Sequence, residues 1–210
     1  MQPTSYPVTL SIDFPDRQLN RLTTFFRIFV AIPILIVLGA VDGASWSVGT
    51  GSDTRTVAVG TGGLLFFAPL LMILFRKKYP RWWFDFNLEL QRFANRTVAY
   101  LALMDDRYPA TDDQQSVRLD YRYPDAGQEL NRWLPLIKWF LAIPHYIVLF
   151  FLQIGLLVAV VIAWFAILFT GRYPRAFFDY VEGVIRWHNR VIAYAFVLVT
   201  DAYPPFRLSA

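Results

Sequence analysis

Six cations stand where a phosphate would be met. Arg81 and Arg175 each follow a Tyr-Pro pair, Arg96 and Arg190 each follow an asparagine, and Lys77-Lys78 run directly into the first Tyr-Pro. A guanidinium makes planar, two-pronged contacts with phosphate, and basic clusters beside a membrane helix attract anionic lipid. Arg81, Arg175, Arg96, Arg190, Lys77 and Lys78 are therefore candidates for contact with lipid headgroups. A simpler reading competes. Arg81 has Asp85 four residues on and Arg175 has Asp179, a helical spacing that pairs opposite charges and pins the turn. The pairing has the edge, and the five donors of a guanidinium allow both.

The only two histidines are His145, directly after Pro144 in a long apolar run, and His188. Axial ligation of haem or of a chlorophyll magnesium would need one of them to face a large flat pocket. A buried or interfacial histidine with a single hydrogen-bond partner is the favoured alternative. Asp105-Asp106 and Asp112-Asp113 lie in a polar connector and read as solvated caps and turns ahead of metal ligands. The absence of cysteine removes thiolate metal sites, iron–sulfur clusters and cysteine nucleophiles. No Gly-x-Ser-x-Gly, His-Glu-x-x-His or P-loop pattern occurs. No catalytic residue, no metal site and no nucleic-acid partner is expected, and bound phospholipid is the one expected small molecule.

These side chains must be held by membrane elements. Of the 210 residues 56% are hydrophobic and only 17% charged, with 7 Trp, 11 Tyr and 19 Phe, against about 25% charged in an ordinary soluble domain. Three uncharged stretches stand out: Ile28–Val41, Thr56–Phe75 and Trp139–Phe169. The first extends upstream if Arg27 snorkels to the interface. The second has the length of one crossing. The third, at about 46 Å as one helix, exceeds a hydrocarbon core of about 30 Å. It is expected to start near Asn131–Trp133 with Lys138 snorkelling, to turn near Gln153–Gly155 and to return to Phe169. A shallow hairpin that dips without crossing is the alternative. The first 24 residues lack a cleavable signal pattern. The Asp42–Arg55 connection holds one Arg against two Asp, whereas Arg and Lys crowd the other side. Both termini and Asp105–Arg132 are thus expected in the cytoplasm, with the Asp42–Gly63 loop outside.

The chain is also written twice. Val8–Asp16 aligns with Val117–Asp125, Leu19-Asn20-Arg21 with Leu130-Asn131-Arg132, and Ala31-Ile32-Pro33 with Ala142-Ile143-Pro144. Tyr79–Phe86 aligns with Tyr173–Tyr180, Asn95-Arg96 with Asn189-Arg190, and Asp106–Pro109 with Asp201–Pro204. Two parallel repeats follow, 1–110 and 111–210, related by a pseudo-two-fold along the membrane normal. Each would hold a short strand ending at a Pro-Asp helix start, a membrane hairpin with a mid-span proline, and a third helix. On that helix Asp85, Glu89, Arg92 and Arg96 share one arc. Asp179, Arg186 and Arg190 repeat it, and His188 falls with the apolar residues. Such a helix lies in the membrane interface, or else packs as an ordinary cytoplasmic core helix. The fold class is an all-α membrane protein with minor β.

The doubled Arg/Lys-Tyr-Pro-Arg-x-x-Phe-Asp-Phe/Tyr signature is followed by Arg-x-x-Asn-Arg-x-x-Ala-Tyr and Asp-x-Tyr-Pro-Pro-Phe. It resembles an uncharacterised family of bacterial integral-membrane proteins classed as a domain of unknown function. Arg172–Phe206 carries the full signature, while the first copy departs from it at Lys78 and after Pro109. The resemblance implies a multi-pass protein of the bacterial inner membrane and transfers no catalytic residue. The leading functional expectation is a non-catalytic structural or accessory protein, touching lipid and either other integral-membrane proteins or copies of itself. A small transporter or lipid-handling protein is the alternative. An enzyme on a lipid-linked substrate is third and would require Arg175, Asp179 and His188 to converge.

Overall fold

The computed structural model describes residues 6–42, 46–48, 55–57, 68–110 and 115–210. The chain is mostly helical, with a two-stranded ribbon at its centre. Strand β1 (Val8–Ile12) pairs antiparallel with β4 (Val117–Tyr121), Leu10 opposite Leu119 at the midpoint. Both strands alternate buried and exposed residues, the pattern of a ribbon covered on one face. The cover comes from α2 (Arg81–Leu101) and α5 (Arg175–Ala195), with α2 packed on β4 and α5 on β1. A second short ribbon joins β2 (Trp46–Val48) to β3 (Arg55–Val57). Thr56 therefore lies in a strand and does not open an apolar helix. Residues 58–67 of that expected crossing lie outside the described residues, and its end is helical from 68 into a π-helical turn, Met72–Arg76.

Two helices are long and apolar enough to cross a membrane: α1 (Arg21–Asp42) over Arg21–Gly39, and α4 (Ile143–Thr170). Only 22% of the apolar window of each is buried within the protein, whereas a soluble core helix would be mostly covered. Helix α1 starts at Asn20, whose Oδ1 accepts the N–H groups of Leu22 (2.9 Å) and Thr23 (3.3 Å). The Pro-Asp pairs expected to start helices lead into loops instead. Pro33 does lie inside α1. Pro144 does not lie mid-span: it sits in the first turn of α4, where its missing N–H costs nothing.

The expected turn at Gln153–Gly155 does not form, because α4 runs unbroken through it for 28 residues. The break comes earlier, as a 3-10 turn at Leu134–Leu136 and the short α3 (Lys138–Leu141), set by Pro135 and Pro144. Gly155 is a packing notch. A Cβ there would collide with Tyr180 Oη, and that hydroxyl donates to the Leu152 carbonyl (3.0 Å). A single glycine costs a helix about 1 kcal/mol, too little to break one this apolar.

Helix α5 is not a bare interfacial helix. Phe178, Val181, Val184, Trp187, Val191 and Tyr194 are all buried between α4 on one side and β1 on the other. Gly183 admits the C-terminal tail, since a Cβ there would lie 2.8 Å from the Leu208 Cβ. Helix α2 keeps an open edge, with Trp82 and Phe86 exposed.

Candidate functional site

Two cations expected to snorkel are instead among the most buried side chains. Arg27, on the second turn of α1, is 2% exposed. It donates to the carbonyls of Tyr100 (2.8 Å) and Asp105, pairs with the Asp106 carboxylate and lies over the Tyr100 ring at 4.3 Å. The other oxygen of Asp106 accepts the Asn20 N–H (2.8 Å). One carboxylate thus ties down both the cation and the start of its helix. Lys138 is fully buried and repeats the plan. Its Nζ donates to the Thr200 carbonyl (2.8 Å), lies 2.7 Å from Asp201 and sits over the Tyr194 ring at 5.2 Å. Asp201 also accepts the Asn131 N–H (2.6 Å).

The carboxylates are delivered by chain reversals after α2 and α5. Leu103 (φ 64°) and Leu198 (φ 61°) occupy the left-handed region there, which side-chain-bearing residues adopt at a cost. Both leucines are buried, so packing holds the reversal. Burial pushes the Lys138 ammonium down from its ordinary value, and the hydrogen bond it donates to Asp201 works the other way. Asp105 is also buried, not solvated. It takes Ser116 Oγ (2.7 Å), the Arg107 N–H (3.1 Å) and Arg17 (3.3 Å).

Beneath the central ribbon, Asn95 and Asn189 exchange amide hydrogen bonds of 2.8 and 2.6 Å. Each also donates to the carbonyl four residues earlier, Gln91 and Ile185. Both side chains are buried, and the arrangement satisfies them without water. Across the ribbon Arg92 donates to the Leu119 carbonyl (2.8 Å) and Arg186 to the Leu10 carbonyl (3.1 Å). Each amphipathic helix is thereby fastened to a strand from the other half of the chain.

The residues expected to meet headgroups separate into two sets. Arg81 is exposed, pairs with Asp85 (3.2 Å) and lies over Tyr123 at 4.8 Å. Arg175 pairs with Asp179 (2.9 Å) and lies over Phe14 at 4.6 Å. Lys77 and Lys78 are exposed and make no ion pair among the described residues. Their side chains border a groove of about 600 Å³. Arg190 is the correction: at 2% exposure its guanidinium donates to the carbonyls of Arg207 (3.1 Å) and Ser209 (2.7 Å), and it does not reach the surface. Arg96 is turned inward to the Ala110 carbonyl (2.6 Å).

The histidines are far apart in character. His145 is fully buried in an aromatic box, stacked on Phe206 at 4.0 Å and flanked by Tyr203. Its Nδ1 accepts the Trp187 indole N–H (3.0 Å), so the ring's proton sits on Nε2. A pigment metal would have to reach the other ring nitrogen, and Nε2 is itself buried. His188, expected on the apolar arc, is exposed, because α5 is buried on the neighbouring faces instead. Neither joins Arg175 and Asp179. A second cavity, about 630 Å³ between Asp13–Arg17 and Ser116–Asp120, holds carboxylates already paired with Arg17 and Arg118. Among the described residues no three His, Asp or Glu are grouped to hold a metal ion.

The buried cations are what the sequence reading missed. The available signal was the alignment itself, which sets Lys138 in register with Arg27 and Asp201 with Asp106. Residues 132–207 match the family described as Domain of unknown function (DUF4389), a stretch covering α3, α4, α5 and the Lys138–Asp201 pair. No curated protein and no solved structure matches the chain.

Proposed function

We propose that the chain is a non-catalytic structural or accessory protein of a bacterial inner membrane, built as two parallel repeats about a pseudo-two-fold axis. The observation that carries the membrane reading is the outer surface of α1 and α4. Leu22, Ile28, Phe29, Phe150, Leu157 and Phe169 each expose more than half of their surface, an area that water would penalise at about 25 cal/mol per Å². Soluble monomers do not leave apolar patches of that extent uncovered. The charges Arg27 and Lys138 are drawn inward, to Asp106 and Asp201, which keeps these two ions off the outer face.

The repeat is supported by contacts that recur in register: Asn20 and Asn131 on the two carboxylates, Tyr100 and Tyr194 under the two cations, Arg92 and Arg186 on the two strands. The axis would pass through the Leu10–Leu119 pair and the Asn95–Asn189 pair. The ribbon, α2 and α5 form the cytoplasmic face, and the exposed Trp82 and Phe86 of α2 anchor it at the interface. Such a body supplies a rigid apolar slab for packing against lipid and a larger membrane assembly. Among the described residues the His145 ring and the Asp106 and Asp201 carboxylates are taken up by structural contacts.

Native purification in mild detergent, with mass spectrometry and particle size on one sample, tests the accessory role. Stoichiometric recovery of other membrane subunits is expected. A lone particle of one or a few copies would overturn it in favour of transport or lipid handling.

A further inference from the structure

The corner between the π-helical turn and α2 carries an unusual backbone. Lys77 closes that turn in the left-handed region (φ 49°), its N–H on the Ile73 carbonyl (3.2 Å). The matching corner before α5 uses Gly171 (φ 73°) for the same task. Glycine adopts this conformation without a steric cost and lysine does not. A lysine held there points to a use for its charge. The flanking sequence agrees. Arg76–Asp85 holds four cations and one carboxylate, where Thr170–Asp179 holds two cations and one carboxylate; Arg21 of α1 also lies near Gly171.

The groove at this corner is about 600 Å³ and is lined by Met72, Lys77, Lys78, Tyr123, Pro124 and Asp125. Among the described residues Asp125 is the one carboxylate that lines it, and its Oδ1 accepts the Gly127 N–H (3.0 Å). Arg81 approaches from the Tyr123 ring. The same groove takes in the apolar and aromatic Met72, Tyr79, Pro80, Tyr123 and Pro124, and Leu71, Phe75 and Trp82, near it in sequence, are exposed. A notch lined by two lysines together with Met72, Tyr79, Pro80, Tyr123 and Pro124 fits a molecule with a phosphate at one end and acyl chains at the other. A soluble anion would have no use for that apolar lining.

We propose that the Lys77–Lys78 groove is a binding site for the phosphate headgroup of an anionic phospholipid. The assignment rests on the membrane reading above and deepens it to one corner of the molecule.

The test uses the full chain in nanodiscs of equal phosphatidylcholine and phosphatidylglycerol, followed by mass spectrometry of lipid retained after transfer to mild detergent. The wild type should retain phosphatidylglycerol selectively. K77G/K78Q should lose that selectivity by about tenfold or more, taking about 1 kcal/mol per basic residue near the surface. K77G alone should weaken retention while its melting temperature stays level or rises, because glycine relieves the backbone. A purely structural lysine would lose both together, and that result overturns the site. Unchanged selectivity in K77G/K78Q also overturns it, as does displacement of the lipid by inorganic phosphate alone. A chain that enters the disc without lipid preference sinks the groove only. A chain that fails to enter any bilayer sinks the membrane reading and the groove with it.

Discussion

Removing the Asp106 and Asp201 carboxylates, which hold Arg27 and Lys138, should separate arginine from lysine chemistry. D106A leaves the Arg27 guanidinium, 2% exposed, facing only the Tyr100 and Asp105 carbonyls and strips the Asn20 N–H of its acceptor. Stranding one member of a buried ion pair costs about 3–5 kcal/mol, a large share of the roughly 5–15 kcal/mol that holds a domain together. For a chain of this size that is a fall of roughly 6–20 °C in melting temperature. D201A strands Lys138 in the same way, but lysine has an escape: it can give up its proton, and arginine cannot. Burial already pushes Lys138 below its ordinary value, and Asp201 is the group that opposes the shift. Without Asp201 the folded state binds fewer protons than the unfolded state from the lowered folded pKa up to the ordinary lysine value. Stability therefore rises with pH across that window. The expected result, from thermal unfolding in detergent, is that D201A costs less than D106A and recovers relative to wild type as pH is raised toward 10. D106A should show no such recovery. The neutral pairs R27M/D106A and K138M/D201A should regain at least about 2 kcal/mol over the single carboxylate variants, because the buried charge is gone. Equal pH profiles for D106A and D201A, or no recovery in the double variants, would refute the account.

Burial raises the hydroxyls of Tyr6, Tyr79, Tyr121 and Tyr173 above their ordinary value. The folded chain thus keeps protons that the unfolded chain releases, and stability should be full below pH 10 and fall above it. Alkaline unfolding should coincide with a cooperative step in tyrosinate absorbance, and complete tyrosinate formation in a still-folded protein would count against it. G155A should cost about 1–3 kcal/mol by overpacking against Tyr180, and G155A/Y180F should recover part of it in the same melting assay. N95L should be strongly destabilising, since it strands the Asn189 amide, whereas N95L/N189L should lie much closer to wild type; additive losses would argue that the two amides are not partners.

The elements that were legible in the sequence are those with a period. Val8-Thr-Leu-Ser-Ile alternates and forms β1, and the apolar stretch from Ile28 forms most of α1. Composition without period misled. Trp139–Phe169 carries no charge, so its length alone suggests a turn, and Gln153 and Gly155 near its middle are where one would be placed. The true breaks were the two prolines, and Gly155 exists for a tyrosine that lies 25 residues further along the chain. The buried cations fail for a different reason. An arginine or lysine at the entry to an apolar helix has two ways to satisfy its charge: it can reach outward to headgroups or inward to a carboxylate. The helix sequence is the same in both cases. What decides is whether an acceptor arrives from elsewhere, and here it arrives more than 60 residues later, behind a leucine bent into the left-handed region. That reversal carries no glycine to announce it. Where the same conformation recurs at the corner before α5, Gly171 does announce it. At Lys77 nothing in the residue type does, which is why a lysine there is read from the backbone and not from the sequence.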